Sequence, residues 1–463
     1  MTPSQIFDLQ SAHFRANPNP SMAHRKGRLQ ALRSALLEQE EAITAALWED
    51  FSKPSYEVEL TEFLTTLVEL DHALRHLSSW MKPQRKPTPI FLIGTRTEVH
   101  CFPKGPSLLI TPWHYTVLLM LGPAIHATAA GCPFVIKPSE CTPKTAALLK
   151  ALIESIYPPE EGCVFLGDAE MATELLALPF AHIHFTGSPR VGRIVMAAAS
   201  KHLASVTLEL GGKSPTYIDA SADLDNATKG VCFGKFSNAG QTCIAPDYLL
   251  VHRDVADAMV DKLKAEIKRA YVPGTGDADL AAIVTPEHYA RQVELIDDAR
   301  SQGTTVLIGG GADPDTRRVE ATVLMEPPES SRVMQEEIFG PILPFIVVDS
   351  VEDALERIQR RPKPLSMYVY TKNDAVAEQF SDSVRTGAVC QNTTLLQFVQ
   401  PFGPFGGEGN SGLGRSHGEA GFRAFSNEQV VLRRQWGSWI LRLIQPPYSP
   451  RTGMIGRLFR KVT

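Results

Sequence analysis

The sequence predicts an α/β protein with a Rossmann-like parallel-sheet unit, a second α/β unit and a small β element. Three observations carry the prediction. Between 107 and 210, short apolar strands alternate with helical stretches. From about 212 to 390 the same alternation resumes. Residues 82–104 differ from both: prolines break Lys82-Pro-Gln-Arg-Lys-Pro-Thr-Pro89, and a short extended run follows through Val99 and Phe102.

The elements follow in order. Residues 22–80 read as amphipathic helices, with apolar residues at helical spacing through Leu29, Leu32, Leu36 and Leu37, then Leu60, Leu64, Leu67 and Leu70. Packing against the next unit is the expected use of that face. The stretch 82–104 is expected as a two-stranded excursion. Strands are expected at 107–111, 133–137, 163–167, 182–186 and 206–210, separated by helices at 118–131, 142–157, 171–178 and 191–203. Such regular alternation makes a parallel, Rossmann-like sheet. Its ligands sit at the carboxyl ends of the strands, where the chain places Trp113 and His114, Lys137 with Glu140, Gly187 with Ser188, and Glu209. The second region has strands in 216–219, 248–252, 304–309 and 366–371, and helices at 255–270 and 351–361. The glycine-rich run 404–414 is a flexible loop rather than a phosphate loop, since no strand feeds it and no long helix follows.

A chain of 463 residues implies two or three domains. A formal net charge of −5 gives no reason to expect nucleic acid. Seven cysteines with no C-x-x-C pair argue for free thiols in a reducing compartment, and against disulfides or a structural metal. No signal peptide and no run of about 18 apolar residues is found, so no membrane span is expected and the cytoplasm is the expected location. The basic tail from Ile440, with Arg442, Arg451, Arg457, Arg460 and Lys461, is expected to pack across a dimer, with peripheral membrane contact as the alternative.

Chemistry concentrates in two stretches. In Asn238-Ala-Gly-Gln-Thr-Cys-Ile-Ala-Pro246 small and polar neighbours leave the Cys243 thiol reachable. In Thr207-Leu-Glu-Leu-Gly-Gly-Lys-Ser-Pro215, Glu209 ends an apolar strand at a Gly-Gly turn. A thiol and a carboxylate base suit covalent catalysis; a buried cysteine and a surface glutamate are the bland alternative. Phe185-Thr-Gly-Ser-Pro-Arg-Val-Gly192 is a strand, a turn and a helix start, a geometry that favours an anion.

GQTC at 240–243 and LELGGKSP at 208–215 resemble the two active-site signatures of the aldehyde dehydrogenase superfamily, and NAGQTCIAPDY together with the chain length resembles its class 3 branch. The resemblance covers nearly the whole chain. It implies the aldehyde dehydrogenase fold, with a cofactor-binding domain in 1–81 and 105–211 and a catalytic domain in 212–390. Residues 82–104 and 391–463 would supply bridging strands, an active-site loop and the tail of a homodimer. It further implies NAD or NADP, with Lys137 and Glu140 on the adenosine ribose. Gly187, Ser188 and Val191 would hold the phosphates, Glu337 the ribose next to nicotinamide and Phe339 its ring, with Trp113, Leu210 and Gly211 also among the cofactor-binding residues. Glu140 favours NAD, because it binds a 2′-hydroxyl and repels a 2′-phosphate. Tyr115 and Phe398 would line the path of a medium or long aliphatic, or aromatic, aldehyde, with Asn392 close to the active centre. The implied chemistry is a Cys243 thiohemiacetal and thioester, with Glu209 activating water.

One departure stands out. Where the family reads P-W-N-[YF]-P, this chain reads Pro112-Trp-His-Tyr-Thr116, so His114 takes the position of the oxyanion asparagine. A ring N–H can replace the amide donor, the ring can fill the oxygen's space, or it can pair with Cys243. Three readings stay open: an aldehyde dehydrogenase with an altered oxyanion hole, a thiol esterase or acyl-transfer enzyme, and a non-catalytic cofactor-binding scaffold.

Overall fold

The structure is a computed structural model that describes residues 1–271, 280–437, 439, 445–448 and 450–460. Ile440, Arg442 and Lys461 of the basic tail lie outside the described residues. Two large sheets organise the chain. In the first, the strands Ser205–Leu210, His182–Gly187, Ser107–Ile110, Phe134–Lys137 and Gly162–Val164 run parallel in that spatial order. The short antiparallel strand Gly412–Leu413 borders Ser205–Leu210. Chain order reverses at Ser107–Ile110: the next two strands build to one side, and the later ones to the other. Crevices at such reversals bind ligands; Trp113 and His114 follow Ser107–Ile110, and Gly187 and Ser188 stand at the end of the neighbouring strand His182–Gly187.

The second sheet orders Thr305–Ile308, Thr322–Met325, Ile342–Val348, Pro246–His252, Ser214–Ile218, Ser366–Tyr370 and Ala388–Gln391, parallel except at its first pair. Most of its central strands are buried, as the continuous apolar runs of a doubly covered sheet require. A third sheet joins Gln84–Lys86, Thr95–Pro103 and Ser426–Arg434. The expected excursion is therefore three-stranded, its third member arriving from far along the chain in a nine-residue register from Ser426↔Pro103 to Arg434↔Thr95. One expected strand is shorter than 163–167. It ends at Val164, because the chain turns at Gly167 (φ 153°) into the Asp168 cap of the next helix.

The helix Thr116–Ala130 is apolar on all faces and almost wholly buried. A helix of that kind belongs inside, where its first N–H groups need partners. Glu62 Oε2 accepts from Val117 N at 3.0 Å and Leu118 N at 3.3 Å. Its other oxygen takes the Lys53 ammonium at 2.6 Å, and both side chains are fully buried. Glu62 lies on a single π-helical turn, Glu59–Phe63, between two α-helical segments. Among the described residues no helix is long and apolar enough to cross a membrane.

Candidate active site

The loop that carries Cys243 is built by the residues before it. Asn238, Ala239 and Gly240 take φ of 53°, 52° and 73°. Two of the three are not glycine, a conformation costing on the order of 1–3 kcal/mol each that persists only where surroundings enforce it. The Asn238 amide donates to Gln241 O at 2.9 Å, and its backbone N–H donates to Glu57 Oε2 at 2.9 Å. Gln241 is buried and fully used: its amide donates to Asn238 O and Ala282 O, and its oxygen accepts from Val284 N at 3.0 Å. At Gly240 a Cβ would come within 2.2 Å of Gly340 O. The thiol itself is half-buried. Burial pushes it well above its ordinary range, the Glu337 and Glu209 charges push it further, and the N–H groups of Cys243 and Ile244 oppose them.

Cys243 shares a cavity with Glu209. Leu118, Leu119, Phe398 and Phe405 form part of its apolar lining, and Glu69, His126, His184, Ser416 and His417 its polar side. Glu209 accepts a hydrogen bond from Ser416 Oγ at 2.9 Å on Oε1, while Oε2 is buried with no partner. Burial raises the carboxyl to about 8, against the Ser416 hydrogen bond and the Arg415 charge. Nearby, Glu69 Oε1 pairs with His126 Nε2 and accepts from Gly418 N, each at 2.7 Å. Burial opposes its ionisation, but these partners and His417 outweigh that and lower it to about 2.

His114 is buried, with Nε2 unpartnered. Its ring packs edge-on against Phe339 at 5.0 Å and Trp113 at 5.7 Å. Burial, with the Lys53 charge second, lowers it to about 3, so the imidazole is neutral at physiological pH. Among the described residues no hydrogen bond joins it to Cys243, which leaves the cysteine–histidine pair without support.

Several features fit a nicotinamide dinucleotide. Glu337 Oε1 is a buried acceptor with no partner, and its carboxylate stands where a Gly211 side chain would begin, 2.2 Å from an added Cβ. Burial and the Asp247 charge raise Glu337 to about 8. Lys137 ends its strand buried, with its ammonium 2.8 Å from the exposed Glu140 carboxylate. Ser188 caps the helix Pro189–Ser200 by accepting from Val191 N at 3.3 Å, so the positive helix end starts directly after the strand that closes at Gly187. Leu210, next to Gly211, is buried and packs on Gly192. Among the described residues no cluster could hold a metal ion.

Two expected substrate residues lie elsewhere. Asn392 is exposed, and its amide closes on the Thr371 backbone at 2.8 and 2.9 Å. Tyr115 does not line the cavity: its hydroxyl bonds Thr242 Oγ1 at 2.8 Å, and its ring takes Lys53 Nζ at 4.2 Å, so it braces the cysteine loop. Phe398 does line it. The sequence reading missed Glu69, His126, Ser416 and His417. A histidine inside the apolar run 118–131 was a usable signal, and so was the Ser-His pair just past the glycine-rich loop.

The model of the aldehyde dehydrogenase family matches residues 7–431. The chain is 38% identical to 4,4'-diaponeurosporen-aldehyde dehydrogenase of Staphylococcus aureus, across 98% of this chain and 99% of that one. It is also 38% identical to mouse aldehyde dehydrogenase family 3 member B2, across 94% of this chain and 91% of that one. The solved structure of the substrate-bound state of Staphylococcus aureus AldH superposes with a TM-score of 0.93 at 36% identity, covering 98% and 99% of the two chains. With sequence, relatives and fold agreeing over nearly its whole length, the chain belongs to the aldehyde dehydrogenase family, in its class 3-like branch.

Proposed function

We propose that this protein oxidises a hydrophobic aldehyde to the carboxylic acid with NAD or NADP, through a covalent intermediate on Cys243. The observation that carries the reading is the shared cavity: a half-buried thiol beside a buried carboxylate whose second oxygen has no partner. The sulfur forms a bond to the aldehyde carbon as the carbonyl π pair moves to the oxygen, which takes up the thiol's proton, giving a thiohemiacetal. A dinucleotide held by Lys137, Glu337 and the Ser188 helix end would supply the hydride acceptor; loss of a hydride from the carbon and of the hydroxyl proton to solvent would leave a thioester on Cys243. Glu209 takes a proton from water as the water oxygen attacks; the C–S bond breaks with its pair on sulfur, and the proton on Glu209 passes to it, releasing acid and thiol. The apolar lining and the staphylococcal relative's named aldehyde support a hydrophobic substrate. The chain's first parallel sheet would hold the cofactor, its second the cysteine loop. The three-stranded sheet, with Val430 and Leu432 exposed, would pair copies into a dimer. Reduced-nicotinamide absorbance with an aldehyde panel tests the reading; no reduction from any aldehyde, with acid and alcohol released from an ester in the absence of nicotinamide, would replace it with a hydrolase.

His114 would serve as the oxyanion donor through its unpartnered Nε2, aided by the Cys243 N–H. One such donor is worth about 100- to 1000-fold in turnover. His114→Asn, which restores an amide donor, is expected to keep or raise turnover, whereas His114→Ala lowers it by that factor. Because the ring is already neutral, His114 adds no limb to the turnover–pH profile above about 5. Complete loss in His114→Asn would show that the ring has another role.

Cofactor choice would rest on Glu140. Its carboxylate beside Lys137 suits a ribose 2′-hydroxyl and opposes a 2′-phosphate. Glu140→Gln is expected to shift the NADP-to-NAD ratio of kcat/KM upward by about 10-fold, a modest factor because the side chain is exposed. An unchanged ratio would remove Glu140 from cofactor selection.

A further inference from the structure

Glu209 is served by two residues that the covalent chemistry does not use. Ser416 Oγ lies 2.9 Å from Glu209 Oε1 and 3.1 Å from His417 Nδ1. A hydroxyl has one proton, and a carboxylate can only accept. When Glu209 is ionised, the Ser416 proton therefore points at Glu209, and His417 Nδ1–H donates the second bond.

The backbone at His417 is independent support. It takes φ 69° and ψ 140°, at the border of a region almost reserved for glycine, and a side chain kept in such a conformation marks a functional constraint. The strained backbone holds the ring against Phe398 and Phe405, with centroids 4.5 and 5.0 Å away, and on the cavity wall.

The charged and titratable groups around the pair come from several elements. Glu69 of the helix Leu64–Trp80 and His126 of the helix Thr116–Ala130 act on His417, and His417 in turn acts on His184 of the strand His182–Gly187. Arg415 acts on Glu209, and its guanidinium is held by Gly407 O and Gly414 O at 2.7 Å each. Glu209 in turn acts on Cys243. Burial lowers His417 to about 4, so its ring donates as a neutral group at physiological pH.

We propose that Ser416 and His417 are positioning residues for Glu209: a donor chain from His417 Nδ1–H through Ser416 Oγ–H to Glu209 Oε1 favours the ionised carboxylate and leaves Oε2 as the oxygen free to take a proton. The inference rests on Glu209 as the base of the proposed reaction.

Two readouts test it, one of them independent of turnover. The first is the infrared carboxyl band that disappears in Glu209→Gln, titrated with pH; the second is the acidic limb of the kcat–pH profile. Ser416→Ala and His417→Leu are expected to move both upward by about one pH unit, the loss of a hydrogen bond to a charged group. His417→Asn places an amide N–H where Nδ1–H stood and is expected to retain the wild-type midpoint. An unmoved midpoint in Ser416→Ala, or equal shifts in His417→Asn and His417→Leu, would overturn the proposal. If the wild type oxidises no aldehyde but the infrared midpoints move as stated, the donor chain holds and the proposed reaction alone fails.

Discussion

Replacing Cys243 by alanine is expected to lower aldehyde-dependent nicotinamide reduction by at least about 10⁴-fold, the scale seen when a covalent nucleophile is lost. No neighbour can take over, because the other six cysteines lie outside the cavity and none has a lowered thiol. The fold is expected to survive. The loop is held by the Asn238 and Gln241 side chains and by the Thr242–Tyr115 hydrogen bond, none of which uses the sulfur. Cofactor affinity, measured by fluorescence titration, and the apparent Tm should therefore stay near wild type. A variant that keeps even a hundredth of the turnover would contradict a covalent role for this thiol.

Glu209→Gln is expected to do two opposite things. Turnover falls by about 10²- to 10⁴-fold, the usual contribution of a positioned base, while the first burst of reduced nicotinamide survives because the thioester still forms. Stability rises. The folded carboxyl titrates at about 8, far above the ~4.3 of an unfolded glutamate. Between those values the native state binds the extra proton, so stability present below the unfolded value is lost as pH rises through about 8. At pH 7 glutamine removes a penalty on the order of 3 kcal/mol and keeps an acceptor for Ser416. The gain in apparent Tm should grow from about pH 5 to about pH 8 and then level. A variant less stable than wild type across that range would show that burial does not strain this carboxyl.

The first parallel sheet was legible because each of its strands is a short apolar run, and such runs are buried on both faces; in the second, the strands Thr322–Met325, Ile342–Val348 and Ala388–Gln391 went unnamed. The bridging sheet was only half legible. Its third strand, Ser426–Arg434, is mostly exposed and polar, so no buried face imposes an apolar period on the sequence. At the site, Cys243 and Glu209 were readable because each lies in a contiguous stretch whose neighbours build the local turn. The polar partners were not, since Ser416 meets Glu209 across 207 positions and Gly418 meets Glu69 across 349. Asn392 and Tyr115 show the limit of carrying roles across a resemblance. The fold spends one on the Thr371 backbone and the other behind the cysteine loop.

His114 leaves the reaction at Cys243 to be decided by direct observation of the thiol. A neutral, buried imidazole with Nε2 unpartnered is compatible with oxidation and with acyl transfer alike. The decisive measurement is a single-turnover reaction of enzyme, cofactor and aldehyde, quenched in acid and followed by reduced-nicotinamide absorbance and by mass analysis of the peptide bearing Cys243. The expected result is one equivalent of reduced nicotinamide per site, formed together with an acyl mass on Cys243 that persists in Glu209→Gln. An acyl group appearing from an ester with no reduction from any aldehyde, or reduction with Cys243 unmodified in Glu209→Gln, would contradict the account.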